Sequence, residues 1–318
     1  MKITRFIITQ ILVFLLSLPA VAAPIKIATW NIEHLRDTDN EGPNKRNQAD
    51  YDRLAEYVKQ LDADIVALQE VEGPEAAKRV FDPVEYKFFF SSRNGVLLTG
   101  FAVRKNINVI QYPDYSDLKV NGGLRHGTNI IVLIEDQSLR LLSVHLKSGC
   151  WEDPMTSNKE ACKTLNAQLT ELEEWIDARA AEQIPFIVLG DFNRRMDIPD
   201  DAFWPEINDA KPPNAELSRI TEGQVSNCWA GDYPLYIDHI VFDRIASKWV
   251  VDGSFTQLVY TEEESLKEKL SDHCPISVII DPSLAVVNPE VKNILQKINS
   301  IEKELDELRQ MIIDIQPE

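Results

Sequence analysis

Gly190-Asp191-Phe192-Asn193 closes an apolar run, Phe186-Ile187-Val188-Leu189, and sets a carboxylate and a carboxamide two residues apart. The run reads as a buried strand, Gly190 allows a tight turn, and a spacing of two sends both side chains the same way. An anionic acceptor beside an amide that both donates and accepts suits phosphoryl chemistry, where a water must be oriented and a charged oxygen held. Taken alone, the tetrapeptide could equally be a turn with an Asx cap. The rest of the chain repeats the device. Asn31 and Glu33 follow the alternating residues 25–30, Glu70 follows Ile65-Val66-Ala67-Leu68, and His145 follows residues 139–144. Asp238 sits in the strand-like stretch 237–242, and Asp272 and His273 enter a final strand running to residue 280. Each has a plainer reading: Glu70 could cap a helix near Pro74, His145 could be a core imidazole, and Asp238 a buried structural acid. Asn31, Glu70, His145, Asp191, Asn193, Asp238, Asp272 and His273 together, all at strand ends, favour one polar site.

The elements that must position these groups are legible as periodicities. Leu54, Ala55, Val58 and Leu61 predict a helix over 46–61, and Ala161, Leu165, Leu169, Leu172 and Ile176 predict a long amphipathic helix over 158–183. Short strands over 86–90, 96–103 and 107–110 are spaced as an antiparallel meander. Residues 130–134 and 139–144 form a hairpin whose second strand delivers His145. Between these strands lies a loop, 113–127, with a turn at Asn121-Gly122-Gly123 and Arg125 exposed beyond it. A second irregular loop spans 151–158.

Both ends of the chain read as separate from this body. Lys2 and Arg5 precede an apolar run of thirteen residues, too short for a bilayer, and Ala20-Val21-Ala22 supplies a small-residue cleavage site. A secretory signal peptide over 1–22 is therefore expected, with a periplasmic or secreted mature protein that has no transmembrane anchor. From Val291 the apolar residues fall on heptads: Val291, Ile298, Leu305 and Ile312 on one seam position, Ile294, Ile301, Leu308 and Ile315 on the other. That pattern predicts a coiled-coil helix over 287–316 and a homo-oligomer assembled through 291–315, with isoleucine at both seams leaning towards trimers or higher. A helix folded back on the body is the alternative.

Composition narrows the class. A 44% hydrophobic content supports a sizeable core over 24–283. Removing Lys2 and Arg5 takes the formal charge from −18 to −20, which repels phosphate backbones at long range and argues against tight, sequence-neutral nucleic-acid binding. A bound divalent cation would invert that field locally. Export, an even count of four cysteines and no Cys-x-x-Cys spacing point to two disulfides. Three pairings are possible, of which Cys150–Cys162 with Cys228–Cys274 is the expected one.

The motifs Thr29-Trp30-Asn31-Ile32-Glu33, Gln69-Glu70-Val71, Ser143-Val144-His145-Leu146, Gly190-Asp191-Phe192-Asn193, Ile237-Asp238-His239 and Ser271-Asp272-His273-Cys274-Pro275-Ile276 resemble, in this order, the motif series of the endonuclease/exonuclease/phosphatase superfamily. The resemblance covers about residues 25 to 281 and implies an α/β (α+β) fold, a four-layer α/β/β/α sandwich of two packed sheets. It implies Mg²⁺ or Mn²⁺ on Glu70, with Asn31 and Asp272 beside it and Glu33 adding an outer contact; hard cations prefer such oxygen donors. Asp191 would orient or deprotonate water, Asn193 hold a phosphate oxygen, and His273, oriented by Asp238, bind or protonate phosphate oxygens. His145 looks like the acid at the leaving group and Arg125 like a phosphate clamp.

Two departures matter. The deoxyribonuclease branch pairs the histidine at the position of His145 with a glutamate from the preceding strands, and residues 86–104 contain none. The tryptophan-cysteine-aspartate-arginine run of inositol-polyphosphate 5-phosphatases is replaced by Tyr236-Ile237-Asp238-His239-Ile240. His34, His126 and His239 carry no assigned role and read as structural or solvated. The expected function is an exported, metal-dependent phosphodiesterase, foremost a nuclease. Alternatives are a sphingomyelinase-like lipid phosphodiesterase, which would want a clustered apolar tip that Trp151 and Trp204 do not supply, another phosphatase, and a non-catalytic coiled-coil scaffold.

Overall fold

The computed structural model describes residues 23–285, apart from 121, 135, 136 and 214, together with the isolated positions 297 and 301. The signal-peptide and coiled-coil readings, those two positions aside, lie outside the described residues. In chain order the elements are β1 (Ile25–Leu35), α1 (Gln48–Leu61), β2 (Ile65–Val71), α2 (Pro74–Ala77), β3 (Tyr86–Phe90), β4 (Leu98–Arg104), β5 (Asn108–Gln111), β6 (Thr128–Ile134) and β7 (Gln137–His145). Then follow α3 (Glu160–Glu182), β8 (Phe186–Asp191), α4 (Phe203–Ile207), β9 (Leu217–Arg219), β10 (Asp238–Asp243), β11 (Thr256–Gln257) and β12 (Ile276–Ile280).

Two six-stranded sheets result, ordered β11-β12-β1-β2-β4-β3 and β5-β6-β7-β8-β10-β9. Each is built round one parallel pair joined by a helix: β1 and β2 across α1, β7 and β8 across α3. Such crossovers are what parallel neighbours require. Strands packed against apolar layers on both faces carry nearly continuous hydrophobic runs. That explains why Ile65-Val66-Ala67-Leu68 and Phe186-Ile187-Val188-Leu189 show no alternation; all eight residues are buried. Three apolar clusters fill the spaces. Ile27, Phe101, Val132, Leu189 and Val278 pack between the sheets. Trp30, Leu54, Val58 and Phe81 pack under α1 and α2 outside the first sheet, and Leu165, Leu172, Val188 and Phe203 under α3 and α4 outside the second. The order is therefore helix, sheet, sheet, helix, the four-layer sandwich expected.

The meander is not as the spacing predicts. β3 pairs with β4, but β5 crosses to the second sheet and pairs with β6. β4 already has β2 on one edge and β3 on the other, so no free edge remains for β5. The first helix begins two residues later than expected, at an Asn47 cap whose Oδ1 accepts from Ala49 N–H while Asp50 accepts from the Asn47 N–H. Arg46, left outside the helix, is buried with its guanidinium donating to the carbonyls of Ile32, Lys269 and Leu270. It clamps the end of β1 to the segment that leads into Asp272.

Topology alone collects the polar residues. β1, β2, β7 and β8 point their C-terminal ends at one edge of the sandwich, bringing Asn31, Glu70, His145 and Asp191 there. β10 and β12 run antiparallel to their neighbours, so their starts lie at the same edge, with Asp238 opposite Asp191 in register and Asp272 and His273 just ahead of β12.

Candidate active site

A cleft of about 420 Å³ opens at that edge, lined by Glu70, Arg125, His145, Asp191, Asn193, Asp238, Asp272 and His273. Asn31 lies buried behind it, donating from Nδ2 to Asp191 Oδ2 (3.1 Å) and at longer range to Glu70 Oε1 (3.4 Å). The structure thus brings together all nine residues singled out from the sequence.

The backbone at these strand ends is unusual. Glu33, His34, Glu70 and Asn193 have φ of 38°, 55°, 59° and 52°, left-handed values that non-glycine residues adopt at a cost. Gly190 has φ 148°, and a Cβ there would run into the Val144 carbonyl of the neighbouring strand. Polar ties under the cleft hold the sheets in register: Thr29 Oγ1 donates to Gln69 Oε1 (3.3 Å), and Gln69 Nε2 to Ser143 Oγ (3.2 Å). The sequence shows Gln69 in its motif but gives it no role; a glutamine within an otherwise apolar run was the available signal.

Asp191 is the hub. Its Oδ2 accepts from Asn31 Nδ2 and Asn193 Nδ2 (2.9 Å), with His145 Nε2 at 3.4 Å and His273 Nε2 at 3.8 Å, while Oδ1 accepts the Asn193 N–H (2.8 Å). Burial is the largest influence on it, pushing the carboxyl up to about 7, with His273 opposing and Asp238 adding. Asn193 has little left for a phosphate: its two amide hydrogens go to Asp191 Oδ2 and Leu146 O (3.1 Å), and its Oδ1 accepts from the Trp151 indole (3.1 Å). The expected phosphate contact gives way to a fixed bracket for Asp191, because a primary amide has only two hydrogens.

His273 and His145 are in opposite states. Burial alone would strip His273 of its proton, yet Asp238 Oδ2 at 2.7 Å from Nδ1 and the nearby Asp191 raise it well above the ordinary imidazole range. Its backbone is fixed by Ser271 Oγ, which accepts the His273 N–H (3.1 Å) and donates to Asn31 O (2.7 Å), and by Tyr260, whose hydroxyl donates to His273 O (3.0 Å). The Cys228–Cys274 bridge adjoins it; this pair and Cys150–Cys162 are both formed. His145 is fully buried and lies well below its usual range, pressed down by burial first and by Arg125 second. Arg125 is half-buried within the cleft instead of exposed, because the loop folds back over β7, and its Nη2 lies 2.9 Å from His145 Nε2. A guanidinium only donates, so Nε2 is the acceptor and the proton resides on Nδ1, which has no partner among the described residues. Among the described residues no glutamate pairs with His145 Nδ1; the one near the ring is Glu70, whose Oε1 lies 3.7 Å from Nε2. A neutral His145 facing an arginine is no ready acid for a leaving group.

Carboxylates dominate the other side. Glu33 Oε2 accepts the Asp272 N–H (2.9 Å), and its carboxyl is raised by burial first and then by the Asp272 charge. His34, given no role from sequence, stands at Glu70: its N–H donates to Glu70 Oε2 (3.3 Å) and its Nε2 lies 3.5 Å from the same oxygen. Crowded, partly buried carboxylate oxygens that repel one another fit a hard divalent cation. The oxygens of Asp191 and Asp238 with a His273 nitrogen also lie within 4.8 Å of one another. Within that group Asp238 Oδ2 lies 2.7 Å from His273 Nδ1 and Asp191 Oδ2 lies 3.8 Å from Nε2, so the three are also placed to relay a proton. His239 is buried and structural, its Nε2–H donating to Arg194 O (2.9 Å) and its Nδ1 accepting from Thr221 Oγ1 (2.6 Å). His126 lies 3.4 Å from Asp114.

Known proteins share this architecture. D. rerio TDP2 in complex with a single-strand DNA product is 21% identical with a TM-score of 0.59, over 81% of this chain and 99% of that one. An endonuclease/exonuclease/phosphatase family protein from Bacteroides thetaiotaomicron is 14% identical, TM-score 0.56, over 82% and 99%. The 3′ phosphatase NExo from Neisseria, bound to a product DNA hairpin, is 16% identical, TM-score 0.52, over 81% and 99%. At these identities the likeness concerns the fold. No curated protein sequence matches the chain. The sequence profile of the Endonuclease/Exonuclease/phosphatase family matches residues 28–273, which covers the cleft from Asn31 to His273, and the chain belongs to that family.

Proposed function

We infer that this family hydrolase is an exported, divalent-metal-dependent phosphodiesterase acting on nucleic acid. The observation that carries the reading is Asp191: a buried carboxylate of raised proton affinity, linked through Asn31 to the carboxylate of Glu70 on one side and facing the His273–Asp238 pair on the other. Glu70 and Asp272, with Asn31 beside them, would hold Mg²⁺ or Mn²⁺, and such an ion when bound polarises a phosphoryl oxygen. Asp191 takes the proton of the attacking water, which suits a base poised near neutrality. Asn193 and Asn31 hold its carboxylate still. His273, kept charged by Asp238, donates to a phosphate oxygen or to the departing one. Arg125 clamps the phosphate, and His145 holds the guanidinium in place by accepting one of its hydrogens.

An acidic chain can do this because the cation and Arg125 supply positive charge locally. The two disulfides suit an oxidising compartment, and among the described residues no helix is long and apolar enough to cross a membrane. The DNA present in the D. rerio and Neisseria structures supports a nucleic-acid substrate over a lipid. Homo-oligomerisation through 291–315 stands as part of the proposal, to be read as a mass change by light scattering when residues from 287 onward are deleted. The deciding experiment is nicking of supercoiled plasmid with Mg²⁺, with EDTA and Glu70→Gln as controls. Nicking lost in both controls is expected. Absence of nicking by the intact protein, with turnover of choline-phosphate lipid, would overturn the nucleic-acid assignment.

A further inference from the structure

Trp151 stands in the mouth of the cleft on the loop between β7 and α3, and 44% of its surface is exposed. A tryptophan kept only for packing would be covered; here the engaged atom is the indole nitrogen, which donates to Asn193 Oδ1 at 3.1 Å. The loop that carries Trp151 is laced to the loop that carries Asn193. Arg195 N–H donates to Trp151 O (3.0 Å), and Arg194 Nη1 donates to Cys150 O (2.9 Å) and Asp153 O (2.7 Å). The Cys150–Cys162 bridge ties the same loop to α3.

A carboxamide has two orientations of nearly equal shape that exchange its oxygen and nitrogen. Only one lets Asn193 donate to Asp191 and to Leu146 O. In the other, Trp151 N–H would face an NH₂ group, and Asp191 would face a carbonyl oxygen across 2.9 Å, acceptor against acceptor. We propose that Trp151 is a positioning residue, whose indole N–H locks the Asn193 amide in the orientation that donates to Asp191 and thereby aims the Asp191 carboxylate at the water. The inference rests on the reading of Asp191 as the base.

The test is a double-mutant cycle with Trp151→Phe, Asn193→Ala and the pair, measured with the full chain and Mg²⁺ on a phosphodiester oligonucleotide. Phenylalanine keeps an exposed ring and removes the donor. Trp151→Phe is expected to lower kcat by roughly three- to tenfold, the range for losing one orienting hydrogen bond, with KM unchanged. In the Asn193→Ala background it should have no further effect. An unchanged kcat, a loss confined to KM, or independent multiplication of the two effects overturns the proposal. Hydrogen exchange of the ¹⁵N-labelled indole, assigned by its disappearance in Trp151→Phe, reads the contact without turnover. Protection in the wild type that is lost in Asn193→Ala is expected; equal exchange in both overturns it. A wild type that hydrolyses no phosphodiester, with the indole still protected, would sink the reading of Asp191 while leaving the contact established.

Discussion

Asp238→Asn isolates the electrostatic part of the site. The substitution keeps the shape of the side chain and its reach to His273 Nδ1, now 2.7 Å from Asp238 Oδ2, but removes the charge. Asp238 is the first of the groups that raise His273 against its desolvation. A hydrogen bond to a charged partner is worth about 1.5–3 kcal/mol, so without it His273 should fall from its raised position back towards the ordinary imidazole range. The sign follows from the state that acts. In the wild type the imidazolium persists through neutral pH, and activity falls on the alkaline side as it loses its proton. In the variant that fall comes at lower pH, and the plateau drops by about 10²–10⁴ if the proton transfer itself is impaired. The assay is the pH–rate profile of phosphodiester hydrolysis from pH 5 to 10 at saturating Mg²⁺. An alkaline limb at an unchanged pH would refute the charged His273, and with it the division of labour between His273 and His145.

Three other perturbations test the scaffold. His239 is fully buried and lowered by that burial from 6.5 to about 4. Its contribution to stability is complete above pH 6.5 and is lost as pH falls to 4, a loss on the order of 3 kcal/mol. Urea titrations at pH 7 and 4.5 should show Asp- and Glu-driven loss in both proteins but an extra loss in the wild type relative to His239→Gln; identical pH dependence would contradict it. Gly190→Ala should destabilise by about 3 kcal/mol or more, since the backbone at φ 148° and the Val144 carbonyl both exclude a Cβ, and a melting temperature equal to that of the wild type would show that β7 and β8 can part. Replacing Cys228 and Cys274 by serine opens a loop of separation 46, which chain entropy values at roughly 4 kcal/mol; an unchanged urea midpoint would mean that the bridge does not brace this part of the fold.

Much of the site was legible along the chain because each functional group ends or begins a strand whose apolar run is unmistakable. Phe186-Ile187-Val188-Leu189 announces Asp191, and Ile65-Val66-Ala67-Leu68 announces Glu70, with no knowledge of what lies beside them. The disulfide pairing and both long helices were legible for a similar reason: spacing and periodicity are local properties. β5 was assigned as a strand but to the wrong neighbours, because edge availability belongs to the sheet, not to the strand.

Local sequence determined which side chains could do chemistry and which elements carry them. Tertiary structure decided what each can do. Arg125 is a loop arginine in sequence and becomes the partner of His145 only in the folded chain, where its charge adds to the burial that keeps the histidine neutral. Asp238 makes its neighbour His273 the opposite. Asn193 lost its expected phosphate contact to Asp191, Leu146 and Trp151, two of them over forty residues away. Proton affinity and hydrogen-bond saturation depend on what stands within a few ångströms and on how much water is excluded, and neither quantity is written in the order of the residues.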